Sequence, residues 1–144
     1  MNRVIEQPPR AELHLDSITQ LVTRFYDDVR ADALLGPTFE NVLGTRWTSH
    51  LPRMVEFWST VMLGSRSFSG NVFAKHMAVP GVTAGHFERW LHLWTLHTQA
   101  LFDASQARRL QKVASDIARN LYRGYFGNVA GFDTIALETR HGSR

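Results

Sequence analysis

The chain has 144 residues, 44% of them hydrophobic and 20% charged, which suits one domain with a buried core and is too apolar for a disordered chain. Sixteen Lys/Arg against thirteen Asp/Glu leave only +3, too small a surplus to argue for a nucleic-acid partner. The lack of cysteine excludes disulfides, zinc ribbons, iron–sulfur clusters and thiol nucleophiles.

Met1–Arg10 mixes Arg3, Glu6 and Arg10 with two prolines and has no apolar centre, unlike a signal peptide. No apolar run reaches the length of a membrane span. A soluble cytoplasmic protein of a single domain, 1–144, with no membrane partner, is the expectation.

Residues 1–14 read as an irregular lead-in. Asp16-Ser17 is the expected cap of a first helix running to about Asp32, with Ile18, Leu21, Val22, Phe25 and Val29 on one stripe. Tyr26 lies at the edge of that stripe, roughly 80° from Ile18 at 100° per residue, so its ring belongs inside and its hydroxyl needs a partner. Leu34-Leu35-Gly36-Pro37-Thr38-Phe39 breaks the helix, turns a corner and ends in an aromatic; Asn41 to Thr45 reads as a loop. A second long helix begins around Arg46–Ser49 and ends near Leu63, with Trp47, Leu51, Met54, Val55, Trp58 and Met62 on its stripe and His50 at the margin. Pro52 argues for a late start, because proline is tolerated in a first turn and costly deeper in.

After the loop Gly64–Gly70, the dipeptides Gly70-Asn71 and Pro80-Gly81 bracket about two turns of helix. Val72, Phe73, Met77 and Val79 offer it apolar anchors, and His76 offers a nitrogen lone pair. So short a helix is marginal in water and must be held by tertiary contacts. Thr83 caps the next helix, which runs to about Phe102. Its main stripe is Phe87, Leu91, Trp94, Thr98 and Leu101, flanked by Trp90 and His97, and Leu93 and Leu96 lie near the opposite face. That pattern, apolar most of the way round, marks a central helix. The last helix spans about Asp103 to Phe126, with Leu110, Val113, Ala114, Ile117 and Leu121 inward and Arg108, Lys112, Arg119 and Arg123 on a solvated face. The glycine-spotted tail, 127–144, is expected to fray and remain flexible. With no alternating strand pattern and no repeat, the class is all-α.

Tyr26, His50 and Trp90 share one property: each has a polar tip and sits at the rim of an apolar helical face. Taken singly, each is an amphipathic residue bridging core and solvent. Together with His76 they suggest a metal ligand on one wall and hydrogen-bond donors on the other. Other chemistries fail on spacing. His92 and His97 are five apart, about 140° around a helix. The chain has no H-E-x-x-H, no carboxylate pattern for a di-iron bundle, no G-x-S-x-G turn and no phosphate loop.

Several pieces carry a resemblance by their order and spacing over about residues 15–126. They are Phe25-Tyr26-Asp27-Asp28-Val29-Arg30-Ala31-Asp32, Leu35-Gly36-Pro37-Thr38-Phe39, and Trp47-Thr48-Ser49-His50 with Phe57-Trp58 beyond it. Phe68-Ser69-Gly70-Asn71, Lys75-His76 and His86-Phe87-Glu88-Arg89-Trp90-Leu91 follow. On these, and without the glycine pairs of the other groups, the chain resembles the truncated haemoglobins of group III. It departs from that pattern at Val72, where proline often follows Gly-Asn, and at His86, where an aromatic is also common and no role is assigned.

The resemblance implies a truncated globin fold, a helical sandwich around a haem with a short proximal helix. It implies His76 as the proximal ligand of the iron, as in globins generally. Tyr26, His50 and Trp90 would form the distal pocket, Phe39 would pack against the haem near its corner, and Met54 would line the ligand side. Arg53 and Lys75 would meet the propionates. With no cysteine for covalent attachment, the cofactor implied is haem b. The function implied is binding of dioxygen or another small diatomic ligand by a monomer. Two alternatives stand beside it. One is a haem enzyme, peroxidase-like or a nitric oxide dioxygenase, which needs a reductase. The other is a haem-free helical interaction module, which would keep its partner after His76→Ala.

Overall fold

The computed structural model describes residues 10–141. The chain forms α1 (Leu15–Ala31), α2 (Leu35–Leu43), α3 (Trp47–Leu63), α4 (Val72–Met77), α5 (Ala84–Leu101), α6 (Ala104–Phe126) and α7 (Ala130–His141). Among the described residues there is no strand, and no helix is long and apolar enough to cross a membrane. The first nine residues of the lead-in, with most of the stretch weighed as a signal peptide, lie outside the described residues.

What remains of the lead-in is a strap across the end of α5. Ala11 donates its N–H to the Leu101 carbonyl at 3.0 Å, and Arg10 Nη1 donates to the carbonyls of Gln99 at 3.0 Å and Ala100 at 2.6 Å. A cation on the last carbonyls of a helix satisfies orphan acceptors and suits the dipole.

The stripe of α1 is fully buried, Ile18, Leu21, Val22, Phe25 and Val29 each being 0% exposed. Each such side chain contributes about 1.5–3 kcal/mol on leaving water. The cap differs from the expectation. His14 occupies the N-cap, Asp16 is exposed, and Ser17 sits inside the first turn. Ser17 Oγ accepts the His14 N–H at 3.0 Å, and its own proton faces the carbonyls of Glu12 and His14. A buried hydroxyl needs such partners, and the backbone upstream supplies them.

The corner after α1 is tighter than the sequence pattern implied, and Asn41–Thr45 is not a loop. Asp32 accepts the N–H groups of Leu35 at 2.9 Å and Leu34 at 3.0 Å, starting α2 only three residues after α1 ends. Pro37 then falls in a first turn, where its missing N–H is an orphan in any case. Gly36 is required by space, since a Cβ there would lie 2.5 Å from the Arg30 carbonyl oxygen. A single 3₁₀ turn, Gly44–Arg46, leads directly into α3. Asp32 also accepts from Arg89 of α5, at 3.0 Å from Nε and 2.7 Å from Nη2, so one carboxylate ties the α1–α2 corner to α5. Burial alone would raise the Asp32 pKa, but the Leu35 amide, Arg89 and the Leu34 amide outweigh it and hold the group below its usual value.

Pro52 lies in the second turn of α3 rather than the first. The carbonyl deprived of a donor is that of Thr48, an exposed residue that water can reach. Helix α5 is central as expected: it packs on α1, α2, α6 and α7, while α1 also packs on α3. Its apolar coat is not all interior, for Leu93 is buried and Leu96 is 44% exposed. The main core lies between the α1–α3 pair and the α5–α6 pair, and Trp94 stands within it. The expected frayed tail instead carries α7. Gly127, at φ +81°, ends α6 in a left-handed cap, and Phe132 is buried against Phe87 and Tyr122. Residues 142–144 of that tail lie outside the described residues.

Candidate functional site

Helices α1, α2 and α3 bring Tyr26, Phe39, Trp47 and His50 into one aromatic cluster. The Tyr26 ring stands edge-on to His50 at 5.6 Å, and to Phe39 and Trp47 at 6.0 Å. Phe39 stacks on Trp47 at 5.9 Å. Trp90 of α5 joins through Phe25, which stands edge-on to Tyr26 at 4.9 Å and to Trp90 at 5.7 Å. Met54, one turn beyond His50, is half-buried against the same core.

One polar tip of this cluster is under-used. Nε2 of His50 is buried with no hydrogen-bond partner among the described residues. Burial drives the Tyr26 phenol far above its ordinary value, so it stays a neutral donor. Burial first, and then the charges of His76 and Arg46, push His50 down, so its imidazole is neutral at pH 7. A buried polar atom with no partner costs about 1–3 kcal/mol, and buried groups are rarely left so without a reason.

Helix α4 carries His76. Asn71 caps it, its Oδ1 accepting the Ala74 N–H at 2.9 Å. Within the helix, His76 Nδ1 lies 2.8 Å from the Val72 carbonyl oxygen. A carbonyl only accepts, so Nδ1 carries the proton and the Nε2 lone pair is left free. A backbone acceptor on the far nitrogen is the arrangement that orients metal-binding imidazoles. The side chain is exposed. Among the described residues no group of three or more His, Asp or Glu is set to hold a bare metal ion. A metal at His76 therefore needs a cofactor that brings its own ligands.

No protein-family model matches the chain. A curated relative, the Group 3 truncated hemoglobin ctb of Campylobacter jejuni, is 30% identical to it over a match covering 77% of this chain and 93% of the relative. The chain belongs to the group III truncated haemoglobins. The crystal structure of group III truncated hemoglobin from Campylobacter jejuni agrees, with a TM-score of 0.75 at 29% identity, covering 78% of this chain and 92% of that one. The expected all-α globin fold is thereby established for the matched part.

In this truncated haemoglobin the two basic residues expected at the cofactor's edge stand differently. Arg53 is committed: Nη2 donates to the Ser69 carbonyl at 3.0 Å, the guanidinium lies 4.4 Å over the Phe68 ring, and Nη1 reaches Glu56 at 3.5 Å. It pins the loop that leads into α4. Lys75 is exposed on α4 and forms no ion pair among the described residues.

Two residues that sequence reasoning missed seat α4 on α6. The Tyr125 hydroxyl donates to the His76 carbonyl, with the Val79 carbonyl a further 3.4 Å contact. At Gly124 the α4 side chains Phe73 and Met77 approach the α6 backbone so closely that a Cβ would require their tips to shift. A glycine within a helix was a legible signal for the second of these. Periodicity carries no signal for the first, because the bond joins residues 49 positions apart. Tyr125→Phe deletes the donor and keeps the ring. Amide hydrogen exchange of Lys75 in α4 is expected to speed up about fivefold in that variant, the worth of roughly one neutral hydrogen bond. Unchanged protection at Lys75 would mean that α4 is held by packing alone.

Proposed function

We propose that the chain binds a b-type haem through His76 Nε2 and holds dioxygen or another small diatomic ligand on the side of Tyr26, His50 and Trp90. Family membership supports a haem globin. The observation that carries the finer reading is the tautomer of His76, fixed by the Val72 carbonyl at 2.8 Å so that its free lone pair is Nε2. The residues fit the group in a second respect. The buried Nε2 of His50 lacks a protein partner, as expected of an atom that serves a ligand.

When bound, the haem supplies a ferrous iron that takes a diatomic ligand reversibly. The chain supplies everything else. His76 acts as a neutral imidazole, held in orientation at both its ring and its carbonyl. Trp90 can only donate a hydrogen bond, and Tyr26 can donate while accepting from a neighbour. Each donor to a ligand carrying partial negative charge contributes about 1.5–3 kcal/mol, or roughly tenfold or more in ligand retention. His50, neutral at pH 7, adds a third donor. Such a pocket retains its ligand rather than delivering it freely. Phe39 and Met54 line the apolar part of the site, and Lys75 is the free cation nearest His76 in sequence for a propionate.

The test is direct. One equivalent of haemin is added to the purified chain, and ferric, ferrous and carbonyl spectra are recorded for wild type and His76→Ala. The expected result is a strong Soret band with a histidine-ligated carbonyl spectrum, weakened or lost in the variant. Equal haem binding by both proteins would overturn the assignment of His76.

A further inference from the structure

His86, which the sequence pattern left without a role, is 8% exposed at the start of α5 and joins two helix termini through its ring. The Thr83 N–H, which can only donate, lies 3.1 Å from Nδ1, so Nδ1 is the acceptor. The Thr83 hydroxyl reaches the same nitrogen at 2.9 Å. Nε2 therefore bears the ring proton and donates to Thr38 Oγ1 of α2 at 2.8 Å. The next residue along α2 is Phe39, which stacks on Trp47 and stands edge-on to Tyr26. One turn of contact further, Trp47 Nε1 donates to Glu40 of α2 at 3.2 Å.

We propose that His86 is a positioning residue for the aromatic wall: neutral, it locks α2 to the cap of α5 and holds Phe39 against Tyr26 and Trp47; protonated, it releases α2. The part of this that concerns ligand retention rests on the function proposed above. A ring protonated on both nitrogens leaves no acceptor for the Thr83 N–H, and two donors would face each other at 3.1 Å. The ring must turn, and turning takes Nε2 away from Thr38.

The charged groups around the ring are few. Asp32 at the end of α1 favours the proton, and Arg89 of α5 holds Asp32 at 2.7 Å and offsets its charge. From α2 the ring meets the uncharged Thr38, and Asp133 of α7 is taken up by Arg119 at 3.1 Å. Burial outweighs the pull of Asp32 and lowers the His86 pKa. With the folded value below the unfolded one of about 6.5, the lock contributes fully above that pH and is lost as pH falls through the folded value.

The experiment follows the Trp47 indole N–H signal and the His86 ring signal by NMR in the full chain, from about pH 8 to pH 5. In wild type the Trp47 signal is expected to move with the His86 midpoint. His50 also lies near Trp47, at 6.1 Å, so the midpoint is matched to the His86 ring itself. Thr38→Val, nearly the same shape without the hydroxyl, is expected to abolish that coupled movement, and Thr38→Ser to restore it. In the haem-loaded chain at neutral pH, Thr38→Val and His86→Phe are expected to release dioxygen about fivefold faster, with Thr38→Ser near wild type. A Trp47 signal that ignores the His86 titration, or follows it equally in Thr38→Val, overturns the proposal. A chain that fails to load haem overturns the ligand reading instead and leaves the NMR result standing.

Discussion

Gly124→Leu is expected to weaken haem binding about tenfold or more while leaving the stability of the apo-protein nearly unchanged. A Cβ at Gly124 would lie 2.7 Å from Cε1 and Cζ of Phe73 and 2.8 Å from the Met77 sulfur. Both side chains belong to α4, a helix of six residues that carries His76. Overpacking of this kind costs about 1–3 kcal/mol, and the element that yields is the weakest one. Within α6 the substitution acts in the opposite direction, since leucine is a better helix former than glycine by somewhat less than the roughly 0.8–1 kcal/mol that separates glycine from alanine. The two effects therefore separate by measurement. Haem dissociation should quicken while the apo-protein Tm stays within about 3 °C of wild type, with Gly124→Ala showing a smaller version of the same split. A lower Tm with unchanged haem affinity would show that α4 does not depend on this contact.

Trp94→Ala is expected to reduce unfolding stability by about 3–5 kcal/mol, the range for a large aromatic removed from a core. Trp94 is 1% exposed and stacks on Trp58 of α3 at 4.4 Å and on Trp90 at 6.0 Å. It stands edge-on to Phe25 of α1 at 5.0 Å, and its indole N–H donates to the Leu110 carbonyl of α6 at 3.1 Å. Four helices thus meet at one side chain, and no neighbour is free to collapse into the space. Urea unfolding measures the loss directly, and the corresponding fall in Tm is about 10 °C. Trp94→Phe, which keeps a ring in the stack, should lose much less. A loss below about 1 kcal/mol for the alanine variant would place the centre of the fold elsewhere.

What the sequence made legible was whatever depends on periodicity. The stripes of α1, α3, α5 and α6 and the cap at Thr83 follow from 3.6-residue spacing and local hydrogen-bond chemistry. Helix α2 escaped notice because Gly36-Pro37 reads as a break. The structure uses both residues in a first turn, started by a carboxylate at Asp32. Helix α7 was hidden by Gly127 and Gly131, and among the described residues its anchors are the buried ring of Phe132 and the half-buried Ile135.

At the site, the rim positions of Tyr26 and His50 foretold that helix packing would bring them together. Phe39 and Lys75 needed the family resemblance. Of the supports of the site, only Gly124 left a signal, a glycine inside a helical pattern. Tyr125 and His86 act through contacts between helices far apart in the chain, and a one-dimensional pattern carries no information about such pairs.

The strap of Arg10 and Ala11 has a consequence for the order in which the molecule is made. Its side-chain bonds span 89 and 90 positions of sequence, so they close one of the longest loops in the chain. Ribosomal synthesis delivers these residues well before their side-chain acceptors on α5, which follow 89 and 90 positions later. Until then the inward face of α1, which packs on α5, also lacks a principal partner. Between the synthesis of α1 and that of α5, only α2 and α3 are there to cover its apolar stripe. The strap of Arg10 and Ala11 can therefore fasten only once the end of α5 has been made.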